Sequence, residues 1–590
     1  MGQFFKFLFA SCLGIFLAFF LLAAIGGLVI MGIAKQAEKP QAVQPNTVLH
    51  LTFDNTVPEQ TNNLELDPFN FKQKKVLGLK EAIRTISEAK EDDNIKGIFL
   101  EPDALSVGGL ATADVLRQAL LDFKSNGKFI VAYSKSYTQG GFYLASAADE
   151  LTCYPIGVID FRGFSAQVPY FKDMLDKVGV EMQVFYAGKF KGASEPYRLN
   201  KMSPENRMQI REYLEDVYQE FLADISASRN ISVEQLRQMA DEYVGIDPKK
   251  AAEAGLIDKA IYRDEALGIL RERLGLDEAD KINMISLEEY NLGKPEHKDY
   301  KTRDKIAVIY AEGEIVDGEG KPGNIGDEKY VKFINSARKD DKVKAIVLRV
   351  NSPGGSVLAS ENIWRELTLA KADGKPIVVS MGDYAASGGY YISTMADSIF
   401  AQPNTLTGSI GVVGAIPNAS KLLDDKIGIH FDSVKTGPFS TGLTPFYPLS
   451  PAETQLIQNH IKKTYEDFLQ KVADGRGISR DSVNAIGQGR VWTGKRAIGI
   501  GLVDRIAGLD EAITAAAGLA GTDSYRLTEY PRVKDPLQQF LEQWIGEEDT
   551  GAHAVLKAQL GEFYPYYSFL LQLRDSKGVQ ARLPVFIPFN

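Results

Sequence analysis

Residues 91–120, EDDNIKGIFLEPDALSVGGLATADVLRQAL, return in altered form as residues 339–367, KDDKVKAIVLRVNSPGGSVLASENIWREL. The stretch that follows, GKFIVAYSKSYTQGGFYLASAADE at 127–150, is answered by GKPIVVSMGDYAASGGYYISTMADS at 374–398. Each copy reads as strand, glycine turn, helix and strand. Further along, Ser203-Pro204 answers Ser450-Pro451, and each pair opens an amphipathic helix with serine as N-cap and proline in the first turn. Ser450 and Glu453 also fit a capping box. DPKKAAEAGLID at 247–258 and WTGKRAIGIGLVD at 492–504 complete the correspondence. The short apolar runs 98–100, 130–133, 345–350 and 377–380 alternate with helical segments, the pattern of buried parallel strands in βαβ units. The chain is therefore expected to carry two α/β domains in tandem, at 46–262 and 305–523.

The rest of the sequence fits around this duplication. A chain of 590 residues exceeds what one hydrophobic core supports. A formal net charge of -10 leaves no basic excess for phosphates, which argues against nucleic acid as a partner. From 7 to 34 no charged residue occurs, longer than the roughly 20 residues that span a bilayer, so residues 1–45 are expected to hold a transmembrane anchor. A cleavable signal has a shorter apolar region, and a lipoprotein reading of Cys12 lacks enough apolar residues before it. With Lys6 on the cytoplasmic side, the bulk lies across the membrane. Cys12 sits in the apolar run and so is not expected to pair with Cys153. The charged segment 263–304 reads as a helical linker, and the aromatic-rich extension 524–590 as a surface that packs on another.

Three local features carry chemistry. Asn351-Ser352-Pro353-Gly354-Gly355-Ser356 follows a buried strand and precedes a helix. Its glycines can turn backbone N–H groups toward a negative centre, as an oxyanion hole requires, with a plain tight turn as the alternative. The absence of Gly-Lys-Ser/Thr argues against the phosphate-loop reading. The first copy has Ser106-Val107-Gly108-Gly109 there, which keeps the turn. Ser409 lies in NTLTGSIGVVG at 404–414, flanked by glycines; aligning Pro155 with Pro403 sets Phe161 opposite it, so the first copy cannot hold the same nucleophile. A serine needs a base. None of the five histidines sits in a glycine-rich turn, although a Ser-His-Asp triad stays open because its members can be distant in the chain; the alternative base is a lysine, and an amine of ordinary pKa near 10.4 stays neutral at physiological pH only if burial opposes its charge by roughly 4 kcal/mol. Lys191, in YAGKFKGA at 186–193, has the apolar and small neighbours this needs, and the matching stretch 436–440 ends in serine.

Taken together, the apolar N-terminus, the tandem repeat, NSPGGS at 351–356, YAASGGYYIS at 384–393, NTLTGSIGVVG at 404–414 and GKFKGASEPY at 188–197 resemble the long form of the signal peptide peptidase A family over nearly the whole chain. The resemblance implies two Clp protease/crotonase-like domains, Ser409 as nucleophile and Lys191 as general base. It also implies a homotetramer at the outer face of the cytoplasmic membrane that degrades cleaved signal peptides and other apolar peptides without a cofactor or metal. Base and nucleophile then come from different repeats. Rivals remain: Ser387, in AASGG at 385–389, matches the serine position of Clp-type proteases, and Lys189 and Lys435 are alternatives to Lys191. A crotonase-type acyl-CoA enzyme and a non-catalytic peptide-binding scaffold are the competing functions.

Overall fold

Two parallel sheets of the same strand order organise the chain. In the first, Lys259–Ala260, Glu150–Cys153, Phe129–Ser134, Ile95–Leu100, Thr47–Leu51 and Asn283–Ser286 lie side by side. In the second, the corresponding path is Arg505–Ile506, Ser398–Ala401, Ile377–Ala386, Val343–Ser352, Lys305–Glu312 and Arg526–Tyr530. Every neighbouring pair along these two paths is parallel. Parallel strands are covered on both faces, which explains the unbroken apolar runs: all ten residues of Ile377–Ala386 are buried. The second sheet adds Leu406–Gly408, parallel to Ile377–Ala386, and Val491–Thr493, antiparallel to Leu406–Gly408. The structure is a computed structural model that describes Gly14 and residues 42–53, 56–61, 76–102, 108–294, 302–532 and 579–582.

The expected anchor at 7–34 lies, Gly14 apart, outside these residues; among them, no helix is long and apolar enough to cross a membrane. Segment 263–304, expected as helix alone, does hold helices Arg263–Leu274 and Leu287–Gly293, but Asn283–Ser286 between them is a sheet strand. Its charge misled because an edge strand buries only part of its surface. Arg526–Tyr530 plays the same part in the second sheet, so the region after 524 begins inside the sheet and not on its surface. Both long helices start as the sequence requires: Ser203 accepts from Asn206 N–H ahead of Pro204–Arg229, and Ser450 with Glu453 forms a capping box ahead of Pro451–Arg476. Cys153 is a buried free thiol, pushed up to about 12 by that burial.

A third sheet ties the halves together. Glu181–Ala187 of the first half runs antiparallel to Val412–Asn418 of the second, from Ala187 opposite Val412 to Glu181 opposite Asn418. The sheet continues through Gln580–Arg582, Gly354–Ser356, Glu314–Val316 and Asn324–Gly326. Polar contacts seal the joint elsewhere. Arg349 grips Glu59 through two N–H···O bonds of 2.8 and 3.0 Å, with both side chains 3% exposed. Buried ionic groups of this kind are tolerated only when paired and hydrogen-bonded.

Candidate active site

The antiparallel ladder sets the chemistry of the two halves face to face. Lys191 follows Ala187 by four residues and Ser409 precedes Val412 by three, while Ala187 and Val412 are register partners. The lysine arm is clamped by the segment around 488–491: Phe190 N–H donates to Gln488 O at 2.8 Å, and Gln209 bridges Phe190 O (2.8 Å) and Val491 N–H (3.1 Å). Gly489, at φ +78°, lets the arm pass. A Cβ on it would stand 2.7 Å from Lys191 Cβ, closer than any side chain permits. Behind the lysine, the Glu195 carboxylate is buried and accepts from Ser203 N–H (3.2 Å), Ser203 Oγ–H and Asn206 Nδ2 (2.9 Å). That fastens the Lys191 loop to the N-terminus of the Pro204–Arg229 helix.

Ser409 leaves the Leu406–Gly408 strand at φ +52°, its N–H donating to Arg490 O at 2.7 Å. Ser387 ends the adjacent strand at φ +57° and ψ -113°, and its N–H donates to Gly408 O at 2.8 Å. Two non-glycine residues in sparsely populated backbone regions side by side are the kind of strain that clusters at working sites. Lys191 Nζ lies between them, 2.6 Å from Ser387 Oγ, 3.0 Å from Ser409 Oγ and 3.1 Å from Ser409 O. Lys191 is 1% exposed and both serines 0%. Burial pushes the Lys191 amine well below its ordinary value.

The other sequence candidates fall elsewhere. Lys189 and Lys435 are on the surface, Lys189 with its Nζ 5.1 Å from the centre of the Phe190 ring. His50 pairs with Glu101, His430 with Asp424, and His460 is exposed, so among the described residues no histidine reaches the serines. Ser387, the rival nucleophile named from the sequence, sits at the turn into the Gly388–Tyr391 helix, with its Oγ in hydrogen-bond contact with the lysine. Gly354–Ser356 lies beside it: a Cβ on Gly388 would be 3.1 Å from Gly355 N. The Gly354 N–H donates to Ser352 Oγ at 3.2 Å. Along this strand runs Gln580–Arg582, antiparallel, with Gly354 opposite Arg582. Sequence reasoning missed this strand, Gly489 and Gln209, although the Gly487-Gln488-Gly489 run marks a special backbone. Among the described residues, no group of three or more His, Cys, Asp or Glu is placed to hold a metal ion.

The model of peptidase family S49 matches residues 122–277 and 369–523, one region in each half. "Protease 4" of Salmonella typhi is 38% identical over 486 residues, 81% of this chain and 78% of that protein. "Protease 4" of Haemophilus influenzae is 34% identical over 484 residues, 81% of this chain and 77% of its own. "Serine protease SPPA, chloroplastic" of Arabidopsis thaliana is 33% identical over 552 residues, covering 92% of this chain and 78% of that one. A solved ClpP1 mutant from Listeria monocytogenes covers 36% of this chain and 95% of its own at 19% identity, with a TM-score of 0.24, a likeness too slight to carry an argument.

Proposed function

Because the chain belongs to peptidase family S49 and is a serine protease, we propose that Ser409 is its nucleophile and Lys191 its general base. The observation that carries this reading is the set of three contacts at Lys191 Nζ. A neutral amine has two N–H groups and one lone pair. It can donate to Ser387 Oγ and to the Ser409 carbonyl while accepting the Ser409 hydroxyl proton, and a charged ammonium has no lone pair with which to do the last. Burial supports the neutral form.

In this mechanism, Lys191 takes the proton as Ser409 Oγ attacks the peptide carbonyl, and then gives it to the departing amine. Ser387 holds Nζ in line throughout. The backbone of Gly354 and Gly355 supplies the oxyanion donors once Gly354 N–H leaves Ser352 Oγ. Water, activated by the again neutral lysine, releases the acyl group from Ser409. Gln580–Arg582, antiparallel to Gly354–Ser356 on one side and paired with Val413 on the other, occupies the place that an extended substrate strand would take. Cleaved signal peptides and other apolar peptides are the proposed substrates. The apolar run at 7–34 would hold the enzyme at the membrane, with its catalytic mass on the outer side and its working form a homotetramer.

The test is covalent labelling with a peptidyl fluorophosphonate, with mass spectrometry to locate the adduct. Label on Ser409 that disappears in both Ser409→Ala and Lys191→Ala is the expected result. Label on Ser387, or labelling that Lys191→Ala leaves intact, would remove the assignment.

A further inference from the structure

The first half keeps the frame of the proteolytic site without its nucleophile. Phe161, opposite Ser409 in the repeat, is spent in packing, stacked on Phe221 and tilted against Phe142. The glycine turn persists: Gly108, at φ +95°, repeats Gly354 at φ +99°. Gln139 precedes Gly140-Gly141 as Ser387 precedes Gly388-Gly389. Around these positions opens a cavity of about 430 Å³, with Phe164 and Tyr213 among its walls and Arg162 at its exposed rim. That volume lies within the range of small-ligand sites.

Its floor is rich in acceptors. Asp383, contributed by the second half and 6% exposed, accepts from Gly109 N–H at 3.0 Å, Thr112 N–H at 2.9 Å and Thr112 Oγ–H at 2.7 Å. A carboxylate thus sits on the turn that, in the other repeat, faces the serines. Gly109 is needed for that approach, since a Cβ there would lie 2.3 Å from Asp383 Cγ. Among the described residues no Lys, Arg or His forms a salt bridge with Asp383, and Arg349, which feels its charge, is engaged by Glu59. Gln139, also 6% exposed, leaves its Oε1 without a hydrogen-bond partner. A buried acceptor left unmade costs about 1–3 kcal/mol, and a buried carboxylate without a cation is also unfavourable. The rim cation is not the missing partner, because Arg162 is held by Asp160 at 2.5 Å. The complement of this floor and these walls is a cation with N–H donors on a short apolar stem, which the aromatic faces also favour.

We propose that the cavity of the first repeat is a binding site for a primary ammonium group, with the free N-terminus of a short peptide as its occupant. The ammonium donates to Asp383 and Gln139 Oε1, and the first side chain lies against Phe164 and Tyr213. Proteolysis releases a new N-terminus at every cut, so the site reads the chemistry of the enzyme's own products.

Calorimetric titration of the full chain tests this with trialanine, N-acetyl-trialanine and butylamine. Trialanine is expected to bind saturably and its acetylated form about tenfold more weakly or worse, the loss that goes with a hydrogen bond to a charged group. Gln139→Leu is expected to weaken trialanine by about tenfold while cleavage of a reporter peptide stays at the wild-type rate. Asp383→Asn should do the same to binding; should it fail to fold, Gln139→Leu decides alone. Butylamine bound as tightly as trialanine assigns the site to free amines, and trialanine alone assigns it to peptide N-termini; either supports an ammonium site. No saturable binding, or binding that acetylation or Gln139→Leu leaves unchanged, overturns it.

Discussion

Lys191→Met separates the catalytic use of the buried amine from its effect on stability. To stay neutral near pH 7, an amine of ordinary pKa near 10.4 must be opposed by roughly 4 kcal/mol, a burden on the fold that a thioether of similar size does not impose. Against that relief stand the contacts of Nζ at 2.6, 3.0 and 3.1 Å. Counting the Ser409 carbonyl, left without its donor, as the main loss sets that cost at about 1–3 kcal/mol. The variant is therefore expected to be more stable than wild type by about 1–3 kcal/mol at pH 7, while kcat/KM falls about 10³-fold or more. The pH dependence has a definite sign. Burial depresses the folded-state pKa of Lys191, and the unfolded chain keeps the ordinary value near 10.4. Between the two, the unfolded chain binds one proton more, so wild-type stability climbs with pH through that window and the methionine variant lacks the climb. Urea unfolding of both proteins at pH 7 and pH 10, with peptide hydrolysis alongside, reads both effects. An active variant, or a stability gap of equal size at both pH values, would refute the reasoning.

Three further outcomes are expected. Ser387→Ala, which removes the 2.6 Å contact to Nζ, should lower kcat by about 10- to 100-fold with KM little changed and fluorophosphonate still attached to Ser409. Gly489→Ala would place a Cβ 2.7 Å from Lys191 Cβ at a left-handed backbone position, so kcat/KM should fall about 100-fold and the melting temperature should drop with it. Glu59→Gln strips the buried Arg349 of its counter-ion and should cost about 3–5 kcal/mol in denaturant unfolding; a change under about 1 kcal/mol would mean the halves are not held by that pair.

The duplication was legible because 91–120 and 127–150 return as 339–367 and 374–398, and the fold class because strands buried on both faces leave short apolar runs such as IVVS at 377–380. The edge strands Asn283–Ser286 and Arg526–Tyr530 were not: edges tolerate charge and half-burial, so they read as linker and extension. Ser409 and Lys191 could be singled out by their neighbours and by a family resemblance, yet no local pattern says that they meet. Their meeting depends on Glu181–Ala187, in which only Phe185 is buried, and on its pairing with a strand from the other half. Three-residue strands such as Gly354–Ser356 and Gln580–Arg582 are too short for any periodicity to register. Gly489 is legible only once the chain that crosses it is known.

On the proposed chemistry, that cross-half ladder also bears on when the enzyme can first act. Lys191 and Ser409 are separated by 218 positions, so on a ribosome making about 5–20 residues per second the amine waits roughly 10–40 s for its hydroxyl to be made. Through that interval, on the proposed chemistry, the nascent chain holds a base without its nucleophile. On the proposed chemistry, timing of synthesis does for this protease what a removable propeptide does for others: destructive capacity waits until the second half has been made.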